Sequence, residues 1–436
     1  MASTPLQHEP QRSAAVRPAT GLRGRDFLLL LAATLGTFSN YAPLLSVAPL
    51  WSADGGSGHG GVGAVTAVTM GTTVAVQLCM GRLLRRLSLR QVLVAGALLL
   101  GVPTFAYALS SGLGWVLAVS AVRGVGFGMV AVAGSALVAE LVPAGQRGRA
   151  VGWYGIAVGL PQVVCLPLGL WMAQNVGFTA VFVAAGALSV LAAPLVLAMS
   201  GHRATGAGEE PGHEPGEAGR TEPGRTEHTE PDRTEPGRTE PDRRRTTWPR
   251  SFAAPFVTLI VTACGLGAVT SFLPLAPTTS QAAPAALFTL TAAVIAGRWG
   301  AGVWSDRSGS GRLTLPGTVA CAVGLGGLAL AAGGTADGAL VTTAAAAVFG
   351  LGFGALQNDT LVVMFRRAGQ HGNGAAGTAW NMAYDAGTGI GAMAVGALSQ
   401  LLAVNGAFAA TAVLIALALP YLWTDHRREA VAQEAK

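Results

Sequence analysis

Phe27–Trp51 reads FLLLLAATLGTFSNYAPLLSVAPLW, 25 residues without a charged side chain. At about 1.5 Å per residue, a helix of that length crosses the roughly 30 Å hydrocarbon core of a bilayer. Working outward, similar apolar runs lie near 62–84, 91–109, 115–141, 150–173 and 177–199. More follow near 251–275, 282–304, 313–333, 338–365, 374–402 and 405–423. The pattern predicts an all-α integral membrane protein with twelve spans, arranged as two pseudo-symmetric bundles of six.

The composition agrees. Charged residues make up 11% of the 436 positions, where soluble domains carry roughly 25%. Residues 201–250 hold 11 of the 22 acids and 9 of the 28 bases, so the rest is poorer still in charge. That segment repeats Thr-Glu-Pro-Gly/Asp-Arg and has too few apolar residues to bury a core. It reads as a disordered tether. The expected organisation is an N-tail 1–26, a bundle 27–199, a linker 200–250, a bundle 251–423 and a C-tail 424–436.

The basic residues orient the chain. Connections 52–61, 110–114, 174–176, 276–281, 334–337 and 403–404 contain no Arg or Lys. The alternate connections hold Arg82, Arg85, Arg86, Arg90, Arg147, Arg149, Arg307, Arg312, Arg366 and Arg367. By the positive-inside rule both termini and the linker face the cytoplasm. Residues 1–24 are polar, so Phe27 begins a first span and not a cleaved leader.

Several chemistries are excluded. The only lysine is Lys436, which removes a Walker-A loop, a Schiff-base lysine and a kinase. The four cysteines lie in apolar runs without metal spacing, and the seven histidines fall in tails or loops. No enzyme activity, cofactor or metal is expected. The net charge of +6 reflects topology and not nucleic-acid binding. Abundant Ala, Gly and Arg point to a bacterium of high GC content and a cytoplasmic-membrane location. The expected partners are a small-molecule substrate, the proton and membrane lipid, with the chain acting as a monomer.

The halves echo each other. Gly124-Val-Gly-Phe-Gly128 in span 4 matches Gly350-Leu-Gly-Phe-Gly354 in span 10. Gly81-Arg-Leu-Leu-Arg85-Arg86 after span 2 holds the place of Gly302-Val-Trp-Ser-Asp306-Arg307 after span 8. Duplicated halves are a common plan of secondary transporters. On these motifs the chain resembles the major facilitator superfamily over nearly all its length outside the tails and linker.

The resemblance implies alternating access and places gating at Gly302, Asp306 and Arg307, with Gly81 and Arg85 in the first copy. There Arg85 stands where the family has aspartate, and Ser120 where span 4 has arginine, with Arg123 one turn later. Glu140–Ala150 resembles the family's turn between spans 4 and 5, which adds Glu140 and Arg147. Gly155-Ile-Ala-Val-Gly159-Leu-Pro161 is similar to an antiporter signature with one extra residue. Asn381–Gly391 resembles span 11 of a sugar- or arabinose-efflux-like branch. Proton-coupled efflux of a drug, metabolite or sugar-like solute is therefore expected; import, or a non-transporting scaffold, is the alternative.

Charges inside a bilayer cost about 2.5–3.5 kcal/mol each at the helix centre on insertion scales, so each needs a role. Asp385 lies near the midplane and is the first proton-coupling candidate, with a buried structural pair as its alternative. Asp359 is the second, and it and Arg298 also suit structural roles. Arg123, Asn40, Gln77, Gln162, Gln357, Asn381 and Tyr384 are candidates for the solute cavity, set against plain interhelical bonding. In this topology, Ser57→Cys and Ser111→Cys are labelled by an impermeant thiol reagent on intact cells, and Thr226→Cys only after permeabilisation. Labelling at position 226 from outside would overturn the parse.

Overall fold

A computed structural model describes residues 21–200, 252–308, 311–334, 338–369 and 373–434. The charged linker beyond Ser200 and most of the N-tail lie outside the described residues, and so does the side chain of Asp306. The N-terminal half comprises α1 (Arg25–Asp54), α2 (His59–Leu83), α3 (Leu89–Ala106), α4 (Leu113–Leu141), α5 (Arg147–Asn175) and α6 (Phe178–Leu197). The C-terminal half comprises α7 (Ala253–Phe272), α8 (Ala283–Ser308), α9 (Thr314–Ala332), α10 (Gly338–Ala368), α11 (Asn373–Leu417) and α12 (Leu419–Glu434). No strand occurs among the described residues.

Among the described residues, eleven helical stretches are long and apolar enough to cross a membrane, and the last runs from Ala375 to Asp425. At about 1.5 Å per residue it is far too long for one crossing. The ladder breaks at Ala403, with φ 55° and ψ 176°. On one side of the break, Trp380 reaches Thr360 near the C-terminal end of α10. At the break, Asn405 meets Gly333 at the turn between α9 and α10. Beyond it, Asp425 pairs with Arg367 back at the C-terminal end of α10, 2.9 Å apart. The chain therefore reverses at Ala403, which makes twelve crossings among the described residues. Helix continues through Glu434, past the expected end of the last span at 423, and the Arg427 guanidinium lies 3.7 Å over the Trp423 ring.

Each half is built around α-helical contacts rather than a single soluble core. In the N-terminal half Phe27, Leu30, Leu93, Leu100 and Val130 pack together. In the other, Leu287, Leu325, Phe349, Phe353 and Phe408 do so. Outward-facing Leu109, Leu191, Val323, Leu330, Leu401 and Leu417 stay exposed, as a lipid-facing belt requires.

The halves meet at one end and part at the other. Away from the arginine-rich connections, Ser46 Oγ donates to the Thr270 carbonyl at 2.7 Å, and Thr66 and Ser271 share a hydroxyl bond at 2.9 Å. Gln174 Nε2 donates to the Ser280 carbonyl at 3.3 Å. Glycine permits the closest approaches. A Cβ on Gly391 would overlap the Cys264 backbone of α7, and one on Gly63 would overlap the Ala392 carbonyl across the α2–α11 contact. In lipid, where apolar surface supplies no drive for association, such contact is what binds helices.

At the arginine-rich end the picture inverts. Residues 147–149, 151–153 and 155–156 of α5 are exposed, as are 298–300 of α8. A Cβ on Gly148, Gly152, Gly155 or Gly300 would meet nothing. The structure is thus closed at the arginine-poor end and open at the other. Gly391→Ala should cost about 1–3 kcal/mol through overpacking. Gly152→Ala should leave stability unchanged or raise it by up to about 1 kcal/mol, since alanine favours helix. Thermal unfolding of the two variants in detergent checks the contrast; equal losses would contradict this packing.

Candidate functional site

The site lies where the halves begin to part. Asp385 of α11 is buried, and its Oδ2 accepts a hydrogen bond from Gln77 Nε2 of α2 at 2.7 Å. Of the hydrogen bonds between halves described above and this one, it stands nearest the open end. The partner is a neutral amide and not an arginine. Gln77 Oε1 is buried without a hydrogen-bond partner, so the amide's full capacity is not used in this conformation.

Two tyrosines flank the carboxylate. Tyr41 of α1 and Tyr384 of α11 both lie within electrostatic reach of Asp385 and of each other. Tyr41 stacks on Phe127, centroids 3.7 Å apart and 2° from parallel. Tyr384 belongs to a second aromatic group, 5.8 Å from Trp380 and 5.9 Å from Phe353. Trp380 and Tyr384 are one turn apart on α11, so their rings share a face. The Trp380 indole N–H donates to Thr360 Oγ1 at 3.2 Å, which fixes its ring.

Arg123 of α4 is buried inside the N-terminal half, among neutral acceptors. Its guanidinium donates to Thr104 Oγ1 at 3.0 Å, Asn40 Oδ1 at 3.0 Å and the Tyr107 hydroxyl at 3.3 Å. Asn40 Nδ2 donates to Thr104 Oγ1 at 3.0 Å, and Tyr107 and Ser120 share a bond of 2.7 Å. The Tyr107 ring face also lies 5.5 Å from the Arg123 guanidinium carbon. Among the described residues no acid pairs with Arg123. The arginine and Asn40, both named as cavity candidates, thus meet each other in a closed polar knot.

Asp359 is placed elsewhere. Its Oδ1 accepts from the Gly311 backbone N–H at 2.6 Å and its Oδ2 from Thr314 Oγ1 at 2.8 Å. Both oxygens tie α10 to the chain entering α9, a loop-anchoring arrangement. Gln162 Nε2 and Asn381 Nδ2 bond carbonyls of their own helices, Val158 at 3.4 Å and Gly377 at 3.1 Å, and Gln357 is buried in α10. Of the residues singled out by sequence for the cavity and for coupling, Asp385 meets Gln77 across the halves and Arg123 meets Asn40 within one of them.

The gating candidates lie at the open end or near it. Gly81 and Arg85 are exposed at the end of α2, Glu140 ends α4 and Arg147 begins α5. Gly302 faces Asn358 of α10, and Arg307 is exposed in the last turn of α8. Gly155 is uncovered, Gly159 meets Ile295 of α8, and Pro161 is buried within α5. The Gly155–Pro161 segment therefore sits at the margin where the α5–α8 contact ends.

Arg298, expected to serve a structural role, stands differently. Arg298 of α8 is exposed although it lies within a span. It stands within electrostatic reach of the Tyr384 hydroxyl. The expected structural partner does not appear, for among the described residues Arg298 makes no hydrogen bond or ion pair. Its charge in an apolar run was the available signal; its surroundings were not.

The sequence profile of the Major Facilitator Superfamily matches residues 28–392. No curated protein matches the chain. Among solved structures, the nucleoside transporter NupG is similar with a TM-score of 0.66 and 12% identity, covering 92% of this chain and 99% of that one. A D-xylose-proton symporter gives 0.64 at 15% identity, covering 91% and 97%. A bacterial homologue of the human lysosomal transporter Spinster gives 0.66 at 13% identity, covering 92% and 96%. These likenesses concern the fold. The profile match spans most of the chain, which belongs to the Major Facilitator Superfamily: a multi-pass membrane protein built for secondary transport of small solutes.

The knot around Arg123 yields a stability test. Arg123→Ala strands Asn40 Oδ1 and opens a polar void, at about 1–3 kcal/mol per unsatisfied buried group. A melting temperature indistinguishable from the parent would show that the knot contributes nothing.

Proposed function

We propose that the chain couples solute movement to protons through Asp385. The observation that carries this is the Gln77–Asp385 bond at the threshold of the cavity, joining α2 of one half to α11 of the other. A hydrogen bond to an ionised carboxylate is roughly twice as strong as one between neutral groups. Protonation of Asp385 therefore weakens the tie between halves and removes a charge from the membrane interior. A group that changes both quantities biases the two access states differently, which is what coupling requires. Asp359, with both oxygens committed to the α9 loop, fits an anchoring role better.

In this reading the arginine-rich end faces the cytoplasm of a bacterial cell, and the open cavity is inward-facing. Solute leaves the cell in exchange for protons. That direction rests on the Gly155–Pro161 segment, which lies where α5 and α8 must close and open. Gly302, Asp306 and Arg307 gate the same end.

One elementary charge moved across the membrane gains about 2.3 kcal/mol per 100 mV, enough for roughly fifty-fold accumulation. In proteoliposomes with an imposed proton gradient, Asp385→Asn should abolish uphill transport while leaving downhill exchange. Asp385→Glu should keep part of the coupling. Full accumulation by the Asn variant would make Asp385 structural. Solute-driven acidification of the compartment the solute leaves would support exchange; alkalinisation would support import by symport.

A further inference from the structure

Resting on that transport reading, we propose that Arg298 is the solute-binding cation of the cavity and that the transported solute is an aromatic carboxylate. The two arginines within the spans differ in one decisive respect. Arg123 spends its donors on Asn40, Thr104 and Tyr107, so its charge is already spread over protein acceptors. Arg298 is exposed and, among the described residues, has no acceptor. A guanidinium held in a membrane without partners is costly unless something else supplies them.

Its position makes it accessible from the open end. On the same stretch of α8, Ile295 reaches Gly159 of α5 and Gly297 packs on the Leu351 backbone of α10. Arg298, the next residue, lies within electrostatic reach of Tyr384 of α11. It is one turn from Ile295 on α8, where the contact with α5 gives way to the uncovered Gly155, Gly152 and Gly300.

The charge balance also favours an anion. Arg123 is closed off in its knot, which leaves Arg298 facing one acid, Asp385, which already engages Gln77. With Asp385 protonated the site carries a net positive charge, and with Asp385 ionised Arg298 still has no acceptor among the described residues. A carboxylate matches the planar guanidinium fork with two parallel bonds. Tyr384, within electrostatic reach of Arg298, is stacked with Trp380, 20° from parallel, and the two half-buried rings offer apolar aromatic surface whose indole is pinned by Thr360. An aromatic ring on that surface places its carboxylate toward the Tyr384 hydroxyl and Arg298.

The test uses the purified full chain in nanodiscs and equilibrium binding by calorimetry. The probes are 4-hydroxybenzoate and indole-3-acetate, their neutral amides, and tryptamine as the cation. Both carboxylates should bind at least tenfold more tightly than their amides, and tryptamine weakest. Arg298→Gln should erase the discrimination between acid and amide with an unchanged melting temperature. Arg298→Lys should retain part of it, because a point charge replaces the fork. Trp380→Leu should weaken every aromatic probe without altering the preference for acid.

Equal affinity for acid and amide, a preference for tryptamine, an indifferent Arg298→Gln variant, or no binding by any probe would overturn the proposal. Asp385→Asn separates it from the coupling reading. If that variant still accumulates solute uphill while Arg298 still selects the carboxylate, coupling by Asp385 fails and this inference stands.

Discussion

Everything at the centre of this protein depends on how closely α11 approaches α7 and α2. Gly387 and Gly391 lay the α11 backbone against Ile260 and Cys264 of α7, and Gly389 and Gly396 lay it against Met70 and His59 of α2. A side chain at these glycines would force the helices apart. Since lipid is as apolar as leucine, the helices are held by van der Waals contact and a few polar bonds. That proximity allows a side chain as short as aspartate to reach Gln77 across the boundary between halves. It also sets the aromatic surface of α11 beside that boundary.

The intramembrane charges divide by how they are satisfied. Asp359 is saturated by Gly311 and Thr314, and Arg123 by a ring of neutral oxygens. Such groups are poor candidates for work, because moving them means breaking several bonds at once. Among the described residues Asp385 has a single hydrogen-bond partner, itself with spare capacity, and Arg298 has none. Groups with unspent capacity can change partners as the halves rock. The physical distinction between scaffold and machinery here is the number of bonds that must be surrendered.

Much of the architecture was legible in the sequence because a bilayer enforces it. Apolar runs of fixed length and alternating arginine-rich connections leave little choice of topology, and the reversal at Ala403 falls between the runs 374–402 and 405–423. Asp385 stood out as an acid in an apolar helix. Gln77 was one of several polar candidates, but its pairing with Asp385 was not legible, since the two are 308 residues apart and any polar group at that depth would serve as well on paper. The cage of Arg123 was hidden for a similar reason: Thr104, Tyr107 and Ser120 are ordinary residues of apolar spans. Arg298 was read as structural because exposure inside a span requires a gap between helices, and a gap is a tertiary property.

The reversal at Ala403 bears on how the protein is made. Between the two arms of α11 there is no polar loop to be drawn through the bilayer, only one residue outside helical geometry. The two arms form a single apolar stretch from Ala375 to Asp425. Each arm satisfies its own backbone hydrogen bonds and the turn between them exposes little polar backbone, so a tight hairpin of this kind is suited to enter lipid as one unit.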